Sequence, residues 1–190
     1  MKKCAIIGGS SLEPRGGDVI DNLKDFGAWC AEQGIELITG ACDGYPYIIG
    51  KACVDAGGKV MGYSPAANLD DHVDNFKSPV DGCSNIRFLK NPVTDRDQRF
   101  LLRSFPLVED ADIIISVDGN WGTLYELTTA VISGKRILVL SNSRGISGGF
   151  EMLYSYMAVN CFYDYGESVE FFQSVEEVKA ELTKWAAQAD

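Results

Sequence analysis

Short apolar runs, each followed by glycine and then by a stretch of helical periodicity, alternate along this chain. Residues 4–7 form the first run, and residues 18–33 carry apolar side chains at the spacings of three and four that are typical of an amphipathic helix. Gly34 then stands where a C-cap glycine ends a helix. The pattern repeats, and β-α-β-α-β predicts parallel strands joined by right-handed crossovers. The predicted elements are strands at 4–7, 35–39, 59–63, 86–89, 112–117, 136–140 and 169–172, and helices at 18–33, 45–56, 95–109, 122–133, 150–159 and 174–188.

Residues 64–83 interrupt the alternation. Their prolines, asparagines and charges predict a long surface loop, in which His72, the only histidine, is expected to face solvent. Pro106 lies inside the helix predicted at 95–109 and is expected to kink it or end it early. The apolar run at 112–117 is typical of a strand at the centre of a sheet that is covered on both faces. Together the elements predict an α/β fold: a doubly wound, mostly parallel, Rossmann-like sheet with helices on both faces.

Charge and hydropathy narrow the possible functions. The 190 residues include 27 acidic and 17 basic side chains, a net charge of −10. This argues against an extended nucleic-acid surface, because phosphate backbones are bound by concentrated lysine and arginine, but it does not exclude a single nucleotide. No apolar run approaches the roughly 20 residues of a membrane span. The apolar stretch after Lys3 is too short for a signal peptide, so we expect a cytoplasmic protein.

The six cysteines lie at positions 4, 30, 42, 53, 83 and 161 and form no C-x-x-C pair. In a chain without a secretion signal, we expect them to be free thiols. Because there is a single histidine and no cysteine pair with ligand spacing, the sequence predicts no metal site.

Glycine follows three of the predicted strands, at Gly8, Gly40 and Gly119. In doubly wound sheets, ligands bind beyond the carboxyl ends of the strands, and glycine lets the backbone approach a ligand closely. Tight strand-to-helix turns need glycine even without a ligand, so each turn alone decides little. Three turns at one sheet edge favour a nucleotide-sized ligand, and we expect residues 1–190 to form a single Rossmann-like nucleotide-binding domain. The first turn lacks a full G-x-G-x-x-G, so the pattern for an NAD site is weak.

Residues 118–126, with the sequence D-G-N-W-G-T-L-Y-E, follow the predicted central strand and begin a helix. Amides at a helix N-terminus form an anion site, and the glycines of this stretch would let those amides reach a phosphate, with the Thr123 hydroxyl as a further donor. An alternative explains Thr123 and Glu126 without a ligand, because T-x-x-E is the spacing of a capping box. The sequence leaves both open, since a glutamate that caps its own helix would also be held beside a bound anion.

Three arginines lie three and four residues apart, so on a helix they share one face. They are Arg96, Arg99 and Arg103. One interpretation is a solvated face paired with nearby carboxylates, and the other is a functional face, for which Arg103 is the best candidate. The nearby carboxylates are those of Asp95, Asp97, Glu109 and Asp110.

The stretch at 118–126 resembles P-G-G-x-G-T-x-x-E, the signature of the LONELY GUY-type (LOG) phosphoribohydrolases, long mislabelled as lysine decarboxylases. In that family an arginine lies nine residues before an aspartate that begins the central strand, and Arg103 and Asp112 stand in this relation. The turns after the first two predicted strands, and the third strand itself, are similar as well. The resemblance therefore covers most of the chain, up to the strand at 136–140. The wider superfamily includes molybdenum-cofactor carrier proteins and nucleotide-sensing domains.

The resemblance implies a LOG-like nucleoside 5′-monophosphate phosphoribohydrolase, which cleaves the N-glycosidic bond and releases base and ribose 5-phosphate. Arg103 and Glu126 would be the catalytic residues: Glu126 would stabilise an oxocarbenium-like transition state and orient water, and Arg103 would hold Glu126 ionised or contact the phosphate. No cofactor is implied, and the partner is a nucleoside monophosphate. The residues expected to bind it are Gly8, Ser10, Gly40, Gly119, Asn120, Gly122 and Thr123.

Three differences from the family pattern favour a second function. Asp118 replaces the proline of the signature, Asn120 its second glycine, and Ser104 the lysine that follows the arginine. The alternative is a non-catalytic nucleotide- or molybdenum-cofactor-binding protein, a carrier or sensor of the same superfamily. A DNA-processing relative is a third possibility, which the net charge disfavours. Since members of the family are commonly dimers, the resemblance also implies a homodimer or a higher homo-oligomer.

Overall fold

The computed structural model describes residues 2–10, 17–90, 93–160 and 168–188. The strands in these ranges are β1 (Lys3–Gly8), β2 (Glu36–Thr39), β3 (Val60–Tyr63), β4 (Asn85–Arg87), β5 (Ile113–Val117), β6 (Arg136–Leu140) and β7 (Val169–Phe172). The α-helices are α1 (Gly17–Glu32), α2 (Tyr45–Asp55), α3 (Arg96–Asp110), α4 (Trp121–Ile132), α5 (Gly145–Asn160) and α6 (Val175–Ala187). A short π-helix, Asp71–Asn75, lies between β3 and β4.

These strands form one parallel sheet in the order β4-β3-β2-β1-β5-β6-β7, which confirms the predicted doubly wound α/β fold. Ile6 of β1 pairs with Ile115 of β5, and Cys4 pairs with Leu37 of β2 on the other side. The chain builds outward from β1 to β4 and then returns across β1 to begin β5. The strand order therefore reverses between β1 and β5, and a crevice opens beyond the carboxyl ends of these two strands.

Helices cover both faces of the sheet. On one face, α1, α2 and α6 pack against a core that includes Ile6 and Ile115. On the other face, α3, α4 and α5 pack against a second core that includes Ile7 and Ile114. Successive side chains of a strand point to opposite faces. A strand covered on both sides is therefore apolar along its whole length, as the run at β5 predicted.

Helix α3 continues through Pro106 to Asp110, so of the two effects expected of this proline, a kink or an early end, the early end was wrong. Pro106 lies on the exposed side of the helix, where the carbonyl that loses its amide partner can bond to water instead. On the opposite side, Leu107 and Val108 are fully buried in the second core. Burial of these two side chains stabilises the turn that the proline weakens.

The predicted loop at 64–83 contains the π-helix Asp71–Asn75, which no periodicity in the sequence indicated. His72, expected to face solvent, is completely buried. Its Nδ1 lies 2.8 Å from Ser64 Oγ and its Nε2 lies 3.2 Å from the carbonyl oxygen of Pro79. Because both ring nitrogens have partners, burial leaves no polar atom of the imidazole unsatisfied.

Helix α5 begins at Gly145, earlier than the predicted start at 150. The sequence placed the start too late because the first turns contain glycine and serine, which weaken the helical pattern. Tertiary contacts stabilise these turns. The hydroxyl of Ser147 lies 2.7 Å from Ser116 Oγ and donates to the carbonyl of Asp118 at 2.6 Å. The start of α5 therefore holds the loop that follows β5.

Candidate functional site

Glycine turns meet in the crevice between β1 and β5. A Cβ atom on Gly8 would lie 2.2 Å from the carbonyl oxygen of Val117, so only glycine lets the end of β1 approach β5 this closely. The amide of Gly9 donates to the same carbonyl at 3.3 Å. The turn that leads into α2 joins them, because the amide of Tyr45 donates to the carbonyl of Gly9 at 3.0 Å.

In the loop between β5 and α4, two backbone amides donate hydrogen bonds to side chains of the same loop. Asp118 has a φ of +59°, and its carboxylate accepts a hydrogen bond from the amide of Gly119 at 2.6 Å. Asn120 is the N-cap of α4, and its side-chain oxygen accepts from the amide of Gly122 at 3.1 Å. The two residues that replace proline and glycine in the LOG signature therefore each accept a hydrogen bond from an amide of this loop.

Helix α4 begins at Trp121, so the capping box considered for Thr123 and Glu126 is wrong. The first turn of a helix leaves its amides without intrahelical partners. Asn120 covers the amide of Gly122, whereas the helix itself supplies no acceptor for the amides of Trp121 and Thr123. Trp121 is 84 % exposed. This helix terminus retains the donors and the dipole that favour an anion.

Glu126 lies one turn further along α4, almost completely buried with 6 % of the residue exposed. Its Oε1 is 2.8 Å from the hydroxyl of Ser104, which also lies 3.0 Å from the carbonyl of Phe100. The hydroxyl has one proton, and a carboxylate is the stronger acceptor. Ser104 therefore orients the carboxylate of Glu126 from the neighbouring helix, in the position where the LOG family has lysine.

Arg103 is 8 % exposed, and its Nη1 lies 3.6 Å from Glu126 Oε1. That distance permits an ion pair but exceeds a hydrogen bond. Among the described residues, Arg103 Nε has no hydrogen-bond partner. A Cβ atom on Gly40 would lie 1.7 Å from Arg103 Nη1. Gly40 therefore makes room for the guanidinium, and the guanidinium keeps unused donors.

The other two arginines of the α3 face make contacts with side chains outside their own helix, although Arg96 is itself exposed. Arg96 lies over the rings of Phe76 and Phe100, 5.0 and 5.4 Å from their centroids. Arg99 forms an ion pair with Asp71 at 3.0 Å. Both contacts join α3 to the segment 64–83. For Arg99, the interpretation in which it pairs with a nearby carboxylate of α3 is therefore wrong.

A cavity of about 330 Å³ lies between the α4 terminus and α3, a volume suited to a drug-sized or nucleotide-sized molecule. Of the sequence-predicted site residues, its walls contain Gly8, Ser10, Arg103, Asn120, Gly122, Thr123 and Glu126. Gly40 lies behind Arg103, and Gly119 lies against Thr123, where a Cβ would be 2.3 Å from Thr123 Oγ1. The wall residues that the sequence interpretation missed are Cys42, Asp43, Phe76, Ser78, Phe100, Leu101 and Ser104.

Some of the missed residues carried a usable signal. Cys42 and Asp43 follow the turn after β2, and the rule that ligands bind beyond strand ends points to them. Ser104 stood out as a difference from the family pattern, but its contact with Glu126 depends on how α3 packs against α4. Phe76 and Ser78 belong to an irregular segment whose path no periodicity predicts.

Burial favours the neutral form of the thiol in the cavity wall. Burial raises the pKa of Cys42, and the neighbouring Arg103 guanidinium opposes that shift. The described cysteines are free, as predicted: Cys4, Cys30, Cys42, Cys53 and Cys83. Cys161 lies outside the described residues.

Within the described ranges, no three histidine, cysteine or acidic side chains come together in the way a metal site requires. None of the helices described is both long and apolar enough to cross a membrane.

Solved structures share this architecture. The protein TM1055 aligns with a TM-score of 0.75 and 22 % identity, over 97 % of this chain and 99 % of its own. The molybdenum cofactor binding protein from the phototrophic bacterium Rippkaea orientalis has a TM-score of 0.70 and 18 % identity, over 97 % and 96 %. DNA processing protein A from Helicobacter pylori, which binds single-stranded DNA, has a TM-score of 0.65 and 16 % identity, over 96 % and 80 %. At these identities the likeness shows the fold alone.

Sequence comparison assigns the family. No protein with a curated description matches the chain significantly. The model of the SLOG cluster4 family matches residues 1–161, which include the three glycine turns, both site helices and the cavity. The family match and the shared architecture thus confirm a Rossmann-like fold that is related to the LOG proteins. Because the match spans most of its length, this chain belongs to the SLOG cluster4 family.

Proposed function

We propose that this protein binds a small phosphate-bearing molecule in the cavity between the α4 terminus and α3, beyond the carboxyl ends of β1 and β5, and holds it without cleaving it. The ligand class is a nucleotide or a pterin phosphate of the molybdenum-cofactor type. The observation that carries the proposal is the state of Arg103, which is buried in the cavity wall with an Nε that has no partner and a carboxylate no closer than 3.6 Å. A buried guanidinium with unused donors is stabilised by an oxyanion ligand.

The N-terminus of α4 supports the same ligand. The amides of Trp121 and Thr123 have no acceptor within the helix, and the helix dipole adds partial positive charge at this end. Gly122 and Thr123 line the cavity that Arg103 lines. A phosphate bound between the α4 terminus and Arg103 would therefore meet a guanidinium and several N–H donors, which offset the carboxylates of Asp43 and Glu126 in the same wall.

Three features favour binding without turnover. Asp118 and Asn120, which replace a proline and a glycine of the LOG signature, accept hydrogen bonds from the amides of Gly119 and Gly122, so this loop differs from that signature in sequence and in hydrogen bonding. Ser104 is bonded to the carboxylate of Glu126 that would have to act. The molybdenum cofactor binding protein of Rippkaea orientalis shows that this fold can hold a cofactor.

The test is isothermal titration calorimetry with AMP and with a pterin monophosphate, on the wild type and on Arg103→Gln. We expect saturable binding of at least one ligand, weakened about tenfold or more in the variant, since a charged hydrogen bond contributes about 1.5–3 kcal/mol. Lys59→Gln removes the same charge from an exposed position at the start of β3 and should change nothing. A wild type that binds neither ligand, or an affinity that Arg103→Gln leaves unchanged, would contradict the proposal.

A phosphoribohydrolase is the second candidate, favoured by the proximity of Arg103 and Glu126 in the cavity wall. Glu126 would stabilise the positive charge that develops on the ribose, and Arg103 would hold the carboxylate or the phosphate. Incubation with AMP and other nucleoside monophosphates decides between the two functions by chromatography of the products. Release of free base that Glu126→Gln abolishes would establish the hydrolase, and an unchanged nucleotide supports the carrier or sensor.

Self-association and location complete the proposal. We infer a homodimer from the resemblance, and large apolar side chains on the outer sides of α3 and α4 are consistent with it: Phe105 is 54 % exposed and Ile132 is 65 % exposed. Sedimentation velocity should show a dimer that Phe105→Asp shifts towards the monomer. A wild-type monomer at micromolar concentration would contradict the proposed dimer.

A cytoplasmic location is proposed as well and is checked by cell fractionation.

A further inference from the structure

The cavity has walls of two chemical kinds. The wall formed by Ser10, Asn120 and Thr123 offers amides and hydroxyls. A second part of the wall is apolar and is formed by the side chains of Phe76, Phe100 and Leu101. A phosphate alone would use only the polar wall, so the aromatic wall requires a separate explanation.

The two phenyl rings are held together as a unit. The centroids of Phe76 and Phe100 lie 5.5 Å apart with the ring planes at 76°, an edge-to-face pair. Phe76 belongs to the segment 64–83, whereas Phe100 belongs to α3. The aromatic wall therefore exists only because this segment folds back over the helix.

Contacts outside the cavity hold the wall in place without a ligand. Arg96 lies over both rings from α3. Arg99 pairs with Asp71, whose carboxylate also accepts from the amide of Ala67 at 2.8 Å. His72, completely buried, anchors the same segment through Ser64 and Pro79. A wall formed in advance lowers the ordering cost of binding.

We propose that Phe76 and Phe100 bind the heteroaromatic ring of the ligand and so determine its class: a ring-bearing phosphate, in preference to a bare sugar phosphate. This rests on the proposed function, because it takes the phosphate to lie at the α4 terminus. A purine or a pterin has a flat apolar face that packs against phenyl rings, and packing of a base on an aromatic side chain contributes about 1–3 kcal/mol. Asp43 and Ser78, which line the same cavity, can accept hydrogen bonds from ring amino groups.

The experiment compares three ligands on the wild-type protein by isothermal titration calorimetry. Ribose 5-phosphate carries the sugar phosphate without a ring, AMP adds a purine, and a pterin monophosphate presents the other ring system. At least one ring-bearing ligand should bind about tenfold more tightly than ribose 5-phosphate, and the ligand that does so identifies the source of the ring. Equal affinity for all three overturns this inference and leaves the proposed function standing, whereas failure of all three to bind overturns both.

Two variants test the residues themselves. Phe76→Leu and Phe100→Leu keep apolar volume but remove the ring, and each should weaken the ring-bearing ligand about tenfold while changing ribose 5-phosphate by less than about twofold. Tyr156→Leu is the control, because Tyr156 is an exposed aromatic residue of α5 that does not line the cavity, and it should change neither affinity. An equal loss for both ligands would assign the rings a merely structural role and overturn the inference.

Discussion

At Gly40, the absence of a side chain decides where the guanidinium of Arg103 can lie. A methyl group there would be 1.7 Å from Arg103 Nη1. We therefore expect Gly40→Ala to displace Arg103, to weaken AMP binding about tenfold, and to lower the free energy of unfolding by about 1–3 kcal/mol through overpacking. Calorimetric titration and urea-induced unfolding measure the two effects.

Gly149→Ala is the control for that substitution. Gly149 lies in α5, and a Cβ atom there would meet nothing within 4 Å. Alanine should leave binding unchanged and raise stability by about 0.5–1 kcal/mol, because it restricts the unfolded chain. If Gly40→Ala behaved like Gly149→Ala, Arg103 would have room that the geometry does not show.

Ser104 stabilises a nearly buried carboxylate from one helix away. Ser104→Ala leaves Glu126 Oε1 with Arg103 at 3.6 Å as its nearest cation and should lower the free energy of unfolding by about 1–2 kcal/mol. Thr129→Ala is the matched control, since the Thr129 hydroxyl bonds only to the carbonyl of Tyr125 in its own helix. Urea denaturation should show the larger loss for Ser104→Ala, and equal losses would contradict the role assigned to the hydroxyl.

At the scale of elements, α3 connects two parts of the site. One end of its arginine face holds the segment 64–83 through Arg96 and Arg99, and the next turn presents Arg103 and Ser104 to Glu126. The spacing of three and four residues predicted the shared face correctly. It did not predict the partners, because these come from chain segments far away in sequence.

The anchoring of the segment 64–83 should depend on pH. The amide of Ala67 above all, together with Asn75 and Arg99, holds the pKa of Asp71 below its ordinary value of 3.8. A lowered pKa in the folded state contributes stability that is present above 3.8 and is lost as the pH falls through the folded-state value. Asp71→Asn should therefore be less stable than wild type by about 1–2 kcal/mol at pH 7, and the difference should shrink towards pH 3.

Urea-induced unfolding at pH 7, 5 and 3 measures that difference. Asp70→Asn is the control, because Asp70 is exposed and adjacent in sequence, so its variant should match wild type at every pH. A deficit in Asp71→Asn that stayed constant down to pH 3 would mean that the charge of Asp71 does not hold the segment.

At the scale of the whole molecule, net charge disfavours the binding of a nucleic acid. A charge of −10 repels a polyanion. We expect a fluorescently labelled single-stranded oligothymidine to show no saturable change in anisotropy at physiological salt. Saturable binding that weakens as salt is raised would contradict this expectation and favour the DNA-processing alternative.

The sequence predicted the fold well because the signal is local and repeated. Apolar runs ended by glycine mark β1, β2 and β5, and helical spacing marks α1, α2 and α4. Its errors at Pro106 and His72 have one cause. Whether a lost hydrogen bond or a buried imidazole is tolerated depends on packing and on partners such as Pro79, which no local pattern reveals.

The sequence alone determined the alternation of strands and helices and the glycine turns, and its resemblance to the LOG signature predicted Arg103 and Glu126 as site residues. Only the tertiary structure decided that Asn120 caps α4, that Ser104 holds Glu126, and that Phe76 reaches the cavity. The physical reason is range. Periodicity and turn chemistry act within a few residues, whereas the walls of a cavity are assembled from segments that meet only when the sheet has formed.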